Sequence, residues 1–271
     1  MGLSVPDKYF YRNARAYDIA FSEREYDAEC NFLEWCYRKH SKIEKKNKVK
    51  SFLELGCGPA QHTREFARRG WRAVALDLSD DMIAFAKEES KREGLTIETI
   101  VGDMTNFVLK KRVHLAATLM ESISHLVTNE QMISHFKSVA KSLTPGGIYV
   151  IEAAHPIFFF PDDEANTWTT KEGDTEVEVT FGLPTDPYNS ITQQWLVTSV
   201  MKIRQKGEKE IVVESKSPFR WYLAQELKAL IELSGVFDAY WFYGSMNYTP
   251  PFELDDNEKS ETMVIVLRTK S

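Results

Sequence analysis

The chain is poor in the features that mark export, a membrane or a metal. It has three cysteines in 271 residues, Cys30, Cys36 and Cys57. Three thiols cannot all pair with one another, and none sits in a C-x-x-C arrangement, so reduced thiols and no metal site are expected. Long hydrophobic runs are missing as well. The longest, such as Ile157 to Phe160, last a few residues and stop at Pro161 and Asp162, far short of the roughly 20 that a spanning helix needs. Met1 to Arg12 lacks a basic stretch followed by an apolar one; nothing there directs export, and a cytoplasmic location is the default expectation. Nor is there an excess of positive charge. Lys and Arg number 34 against 40 Asp and Glu, a net charge of −6, which argues against nucleic acid as a partner. One basic run, Arg38 to Lys50 with Lys39, Lys42, Lys45, Lys46 and Lys48 inside it, reads as a helix C-terminus and solvated linker, where cations suit the dipole. There is no internal repeat and no low-complexity segment.

What is present is ordinary globular chemistry. With 43% hydrophobic and 27% charged residues, the chain has the composition and length for one large α/β domain, or for one domain carrying an insertion. Residues 7–40 read as two helices, an N-terminal cap over residues 1–50. After it, short apolar runs alternate with amphipathic stretches. Ser51–Leu55, Ala73–Leu76, Thr96–Val101, Val113–Met120 and Gly147–Ala153 read as strands, and Gln61–Arg69, Asp80–Glu93 and Asn129–Leu143 as helices. That alternation implies right-handed crossovers and a parallel sheet covered on both faces, here assigned to residues 51–154. Beyond His155 the texture changes: Thr175–Phe181, Ile191–Arg204 and Glu210–Lys216 are β-prone with no helix between them, an antiparallel insertion over residues 155–217. Residues 218–271 then complete the core with a helix at Leu223–Leu233 and strands at Val236–Tyr243 and Thr262–Arg268.

The strongest local signal is Phe52-Leu53-Glu54-Leu55-Gly56-Cys57-Gly58-Pro59-Ala60, an apolar strand entering glycines and then a helix. Glycine lets the backbone turn tightly there and lets a ligand approach the helix N–H groups. A nicotinamide enzyme requires a small residue where Gln61 stands, so this spacing disfavours a dehydrogenase. Asp77 closes the second strand, where a carboxylate can accept both hydroxyls of a ribose, and the third strand ends in Gly102-Asp103-Met104. Taken singly, each glycine is a turn residue and each aspartate a cap or solvated strand end.

Read in order, E-L-G-C-G-P-A, A-L-D-L-S, V-G-D-M and L-T-P-G-G-I-Y-V-I-E resemble the successive motifs of class I S-adenosylmethionine-dependent methyltransferases, over about Ser51 to Glu152. The resemblance implies a Rossmann-like seven-stranded mixed sheet with flanking helices, an N-terminal helical lid and an antiparallel β insertion. It implies S-adenosylmethionine as cofactor: Glu54, Gly56, Cys57 and Gly58 line its methionine and ribose side, Asp77 and the adjacent Leu78 its ribose, and Asp103 and Met104 its adenine edge, with Met120 also in the cofactor set. A narrower resemblance, to small-molecule N-methyltransferases including amino-sugar N,N-dimethyltransferases, is carried by Arg15-Ala16-Tyr17-Asp18, by Glu25 to Glu29, by Met120-Glu121-Ser122-Ile123-Ser124-His125-Leu126 and by Phe219-Arg220-Trp221-Tyr222-Leu223. It implies that Tyr17 touches the amino-acid end of the cofactor. Two departures stand out. The fourth strand opens on Arg112-Val113-His114 instead of an acidic residue, and Ala153-Ala154-His155-Pro156 replaces the usual apolar residues after the fifth, which implies a diverged substrate pocket.

The expected function is therefore methyl transfer to a small-molecule acceptor, with nitrogen favoured over oxygen by resemblance alone. An amine must react in its neutral form, and a histidine near pKa ~6.5 is a natural proton acceptor. His125, just past the fourth strand, is the first candidate base and His155 the second; each has the plain alternative of bonding a nearby carbonyl. Phe158, Phe159, Phe160, Trp168, Trp195, Trp221, Trp241 and Tyr243 are candidates for an acceptor pocket, although core packing accounts for most such residues. Glu253, Asp255, Asp256 and Glu258 suit either an ammonium or a solvated loop. Rival readings are an O-methyltransferase, an RNA or protein methyltransferase, a nucleobase amino-methyltransferase, which Leu119-Met120-Glu121-Ser122 does not match, and a non-catalytic S-adenosylmethionine-binding module. The insertion and the lid are the surfaces a homo-oligomer would use.

Overall fold

The computed structural model describes residues 13–43, 50–158, 165–256 and 259–271. Two helices come first, α1 (Ala14–Ala20) and α2 (Tyr26–His40). They are followed by β1 (Ser51–Leu55), α3 (Gln61–Arg68), β2 (Arg72–Asp77), α4 (Asp80–Arg92), β3 (Glu98–Val101), β4 (Val113–Thr118), α5 (Asn129–Ser142) and β5 (Leu143–Ala153). The inserted strands are β6 (Asn166–Glu172), β7 (Thr175–Phe181), β8 (Tyr188–Asn189), β9 (Gln194–Gln205) and β10 (Ile211–Arg220). The chain ends with α6 (Ala224–Ser234), β11 (Phe237–Tyr243) and β12 (Met263–Thr269). Seven strands form the main sheet in the order β11-β12-β5-β4-β1-β2-β3. β12 runs antiparallel to both neighbours and the other contacts from β5 to β3 are parallel.

Every residue of β1 is buried, as a central strand covered on both faces requires. Alternation then divides the core. Leu53 and Leu55 face a cluster with Met132, Phe136 and Leu227, while Phe52 faces Phe66, Leu115 and the α2 residues Phe32, Leu33 and Cys36. Each such side chain contributes roughly 1.5–3 kcal/mol on burial. Local chemistry sets the helix starts: Ser79 accepts from the Met82 amide, and Thr128 with Gln131 forms a capping box at α5, which satisfies amides that have no partner within the helix.

The second sheet, ordered β10-β9-β7-β6 with β8 beside β9, is antiparallel. It packs on the first helix: Ala16, Ile19 and Ala20 share a cluster with Val177, Val179 and Met201. The Trp168 indole N–H and the Thr170 hydroxyl both donate to the Ala20 carbonyl, at 2.9 and 3.3 Å. On its other side α1 reaches the main domain, where Gln61 donates to Asp18 at 2.5 Å and Arg64 lies 3.3 Å from the same oxygen.

Several boundaries differ from the sequence reading. β6 was not expected, because in Asn166–Glu172 only Thr170 is fully buried and the strand has no apolar alternation to reveal it. β4 stops at Thr118, since Met120 and Glu121 both take left-handed backbone angles, φ 52° and 56°. β5 begins at Leu143 rather than Gly147, and β10 carries the inserted sheet to Arg220 rather than Ser217. Lys45, Lys46, Lys48, Phe159, Phe160, Glu258 and the side chain of Phe158 lie outside the described residues.

Candidate active site

The strand order turns back between β1 and β4, since the chain builds outward through β2 and β3 and then returns to the other side of β1. Open sheets hold their ligands at that switch point, beyond the carboxyl ends of the strands. Gly56, Gly58 and Ala60, at φ 62°, 48° and 61°, carry the chain from β1 into α3 there. Left-handed angles of this kind favour glycine. At Gly56 space is also limiting, as a Cβ would lie 2.9 Å from that of Ser122. The Ser122 hydroxyl donates to the Gly56 carbonyl at 3.3 Å, joining this loop to the one after β4.

Asp77 braces the turn. One carboxylate oxygen accepts from the Gly58 amide and the other from Ser79, each at 2.8 Å. Burial raises its pKa, and the backbone amides of Ser79 and Gly58 oppose that rise. A carboxylate offers about four acceptor sites, more than these two amides use, so the group can hold the loop and still receive ribose hydroxyls. Tyr17 leans over the turn: a Cβ on Gly58 would lie 3.6 Å from its ring. Burial and the Asp77 charge raise the phenol pKa, so its hydroxyl keeps its proton. The Gly102 amide donates to the Asp77 carbonyl at 2.8 Å, placing Leu78, which is 51% exposed, beside Asp103 and Met104 at the ends of β2 and β3. Asp103 is exposed and accepts from Thr105, while Met104 is half-buried against the core and its carbonyl contacts His135 at 2.9 Å.

Two predicted residues point elsewhere. The carboxylate of Glu54 accepts from the Thr63 amide and hydroxyl, at 2.9 and 2.6 Å, and lies 2.9 Å from His62; it anchors α3 instead of facing the crevice. The Cys57 side chain packs with Ala60, Ala75, Ile83 and Ala86, and burial, then the Asp77 and Glu54 charges, keep it a thiol.

Behind this cradle runs a chain of charges, all buried except the partly exposed Arg24, that sequence reasoning missed. Glu54 and Glu29 contact the two nitrogens of His62 at 2.9 and 2.6 Å, Arg24 lies 2.8 Å from Glu29 and 3.0 Å from Glu152, and Glu152 accepts from the Met120 amide at 2.7 Å. Burial alone would strip the His62 proton, but Glu54 and Glu29 outweigh it and hold the pKa at about 9. The signs alternate along the chain, from the cofactor loop through the cap to the loop after β4.

That second loop, Ser122–His125, is a single 3-10 turn tied to the inserted sheet. Tyr222 donates to the Leu126 carbonyl, and Gln194 to that of Val127 at 3.3 Å. The His125 ring lies 4.4 Å from that of Phe219, within an aromatic group that continues through Phe181, Trp195 and Trp221. Burial lowers the His125 pKa to about 4. His155 lies outside this group. Its Nδ1 accepts from the Ile157 amide at 3.2 Å and its Nε2 donates to the Asp255 carbonyl at 2.8 Å, which makes it a strut between the end of β5 and the loop before β12. Trp241 and Tyr243 pack with His40 and Trp35 under α2, and Trp168 packs on Phe21.

Residues 52–147 match the family described as a methyltransferase domain. Over 166 residues the chain is 26% identical to the dTDP-3-amino-3,4,6-trideoxy-alpha-D-glucopyranose N,N-dimethyltransferase of Streptomyces venezuelae, covering 60% of this chain and 65% of that one. It is 28% identical to the dTDP-3-amino-3,6-dideoxy-alpha-D-glucopyranose N,N-dimethyltransferase of Streptomyces fradiae, over 55% of this chain and 54% of the relative. The chain thus spans about half to two thirds of the length of these curated relatives. In fold the likeness extends further: an S-adenosylmethionine-dependent methyltransferase from Clostridium acetobutylicum superposes with a TM-score of 0.73 at 14% identity, covering 97% of this chain and 99% of the other. Residues 52–147 are accordingly a class I, S-adenosylmethionine-dependent methyltransferase domain, set in a chain that shares the fold of such enzymes beyond that stretch.

Proposed function

We propose that the protein methylates an amine nitrogen of a small molecule. The observation that carries this reading is the make-up of the crevice between β1 and β4, with the glycine cradle and Asp77 on one side and, on the other, His125 against aromatic rings that the inserted sheet supplies. Aromatic faces favour a cation or a ring, and the two relatives named above act, by their names, on amino sugars.

S-adenosylmethionine, when bound, supplies a methyl group on a positively charged sulfur. The residues of the chain then have to bind, align and exclude water, because an in-line displacement gains most from fixed geometry. Asp77 and Leu78 would hold the ribose, the Gly56–Gly58 backbone and Tyr17 the amino-acid end, and Asp103 and Met104 the adenine edge, with Met120 bordering the reacting side. His125, neutral across the physiological range, serves the acceptor as a hydrogen-bonding group on the aromatic wall. Its low pKa makes it a poor store for the proton of an amine. The test is calorimetric titration with S-adenosylmethionine, followed by transfer of an isotopically labelled methyl group to matched panels of amines and alcohols. Transfer to amines is expected; transfer to alcohols alone would replace nitrogen by oxygen as the target.

A further inference from the structure

Between the cradle and the aromatic wall stands Glu121, the second of two consecutive non-glycine residues with left-handed backbone angles. Such angles cost roughly 1–2 kcal/mol each, and the Met120 amide's bond to Glu152 fixes the pair in place. Three groups face the Glu121 side chain electrostatically: Glu152 from β5, Arg24 from the cap and the Trp221 indole, which follows β10. The Arg24 guanidinium is directed at Glu29 and Glu152, and among the described residues no cation lies at ion-pair distance from Glu121. The Trp221 ring lies 4.6 Å from that of Trp195 and so leads into the Phe181, Phe219 and His125 group.

We propose that Glu121 receives the ammonium group of the acceptor, holding it against the aromatic wall and taking its proton, an inference that rests on the amine reading above. A carboxylate beside aromatic faces is the arrangement that recognises an organic cation, since the charge and the ring quadrupoles act together in a desolvated place. In the step itself an N–H bond of the ammonium breaks and an O–H bond forms on Glu121. The electron pair stays on nitrogen for attack on the methyl carbon, and the proton passes to water when the product leaves.

The two neighbouring candidates differ in their ability to take that proton. Burial and the Glu152 charge, opposed by Trp221 and Arg24, push the Glu121 carboxyl up to about 7, while burial brings His125 down to about 4. A lysine-like ammonium titrates near ~10.4, so transfer to Glu121 is unfavourable by a factor of about a thousand and transfer to His125 by about a million. Glu121 is the better matched of the two.

The experiment is a ligand-observed NMR titration of the full chain with cyclohexylamine as the probe cation and cyclohexanol as its neutral counterpart, both at pH 8. Glu121→Gln is expected to weaken cyclohexylamine binding at least about tenfold, the worth of one good charge interaction, and to leave cyclohexanol unchanged. Glu121→Asp keeps the charge and should recover part of the loss; it also carries the comparison if the glutamine variant fails to fold by circular dichroism. Equal cyclohexylamine binding to wild type and Glu121→Gln, or none to wild type, overturns the proposal. Failure of the amine reading is separately visible: methyl transfer by the wild type to alcohols alone would remove that reading, whereas the cyclohexylamine comparison would still decide whether Glu121 holds a cation.

Discussion

The Nε2 of His62 lies 2.6 Å from Oε2 of Glu29, and through that contact a residue of the cofactor-loop helix is bonded to the N-terminal cap. Both side chains are buried. Removing one partner of such a pair leaves the other without its counter-charge, at a cost of about 3–5 kcal/mol. Glu29→Gln should therefore lower the thermal midpoint strongly, and limited proteolysis should find the cap released before the core.

The same histidine gives the protein an alkaline weakness. Its pKa in the folded state, about 9, stands above the ordinary 6.5. A raised value contributes stability that is fully present below about pH 6.5 and is lost as the pH rises through about 9. Thermal midpoints measured from pH 6 to 10 should fall over that range in the wild type and stay flatter in His62→Gln.

Asp77→Asn should weaken S-adenosylmethionine binding by roughly one to two orders of magnitude, because hydrogen bonds to a charged group are worth about 1.5–3 kcal/mol and the Gly58 amide loses its carboxylate partner. Calorimetry decides this; unchanged affinity would remove the ribose assignment.

Gly56→Ala combines a left-handed angle with a Cβ 2.9 Å from that of Ser122. It should destabilise by at least about 1–2 kcal/mol and weaken cofactor binding as well, read by melting curves with and without S-adenosylmethionine.

His155→Ala should act on stability alone. It removes two hydrogen bonds, to Ile157 and Asp255, for about 1–3 kcal/mol, and kcat for methyl transfer should stay within about twofold of wild type below the melting range. A large loss of kcat at unchanged stability would restore it to the reacting centre.

The main sheet was legible because parallel strands buried on both faces show as apolar runs, and because the glycines and aspartates that end them occupy fixed places. β6 was not, since its Asn166–Glu172 sequence earns its place only by pairing with β7 and by contact of Trp168 and Thr170 with Ala20. Proton chemistry was the least legible part. The sequence reading placed it on His125 and His155, as free imidazole titrates near neutrality. Burial lowers the pKa of His125 and raises that of Glu121, and desolvation depends on what covers a residue in space, which the sequence does not show. The charge chain from Glu54 to Glu152 was hidden for the same reason, its members being scattered over five segments of the chain.

The two bonds to the Ala20 carbonyl carry a consequence for engineering. They make the first helix and the inserted sheet a single roof over the crevice, although some 150 residues separate them in the chain. A chimera that borrows only the inserted strands from a relative would set a foreign sheet against a native helix and lose both the Trp168 and Thr170 bonds to that carbonyl and the packing of Ile19 with Met201. Retargeting the acceptor by domain exchange thus calls for residues 13–43 and 165–220 to be transplanted together, as one discontinuous unit.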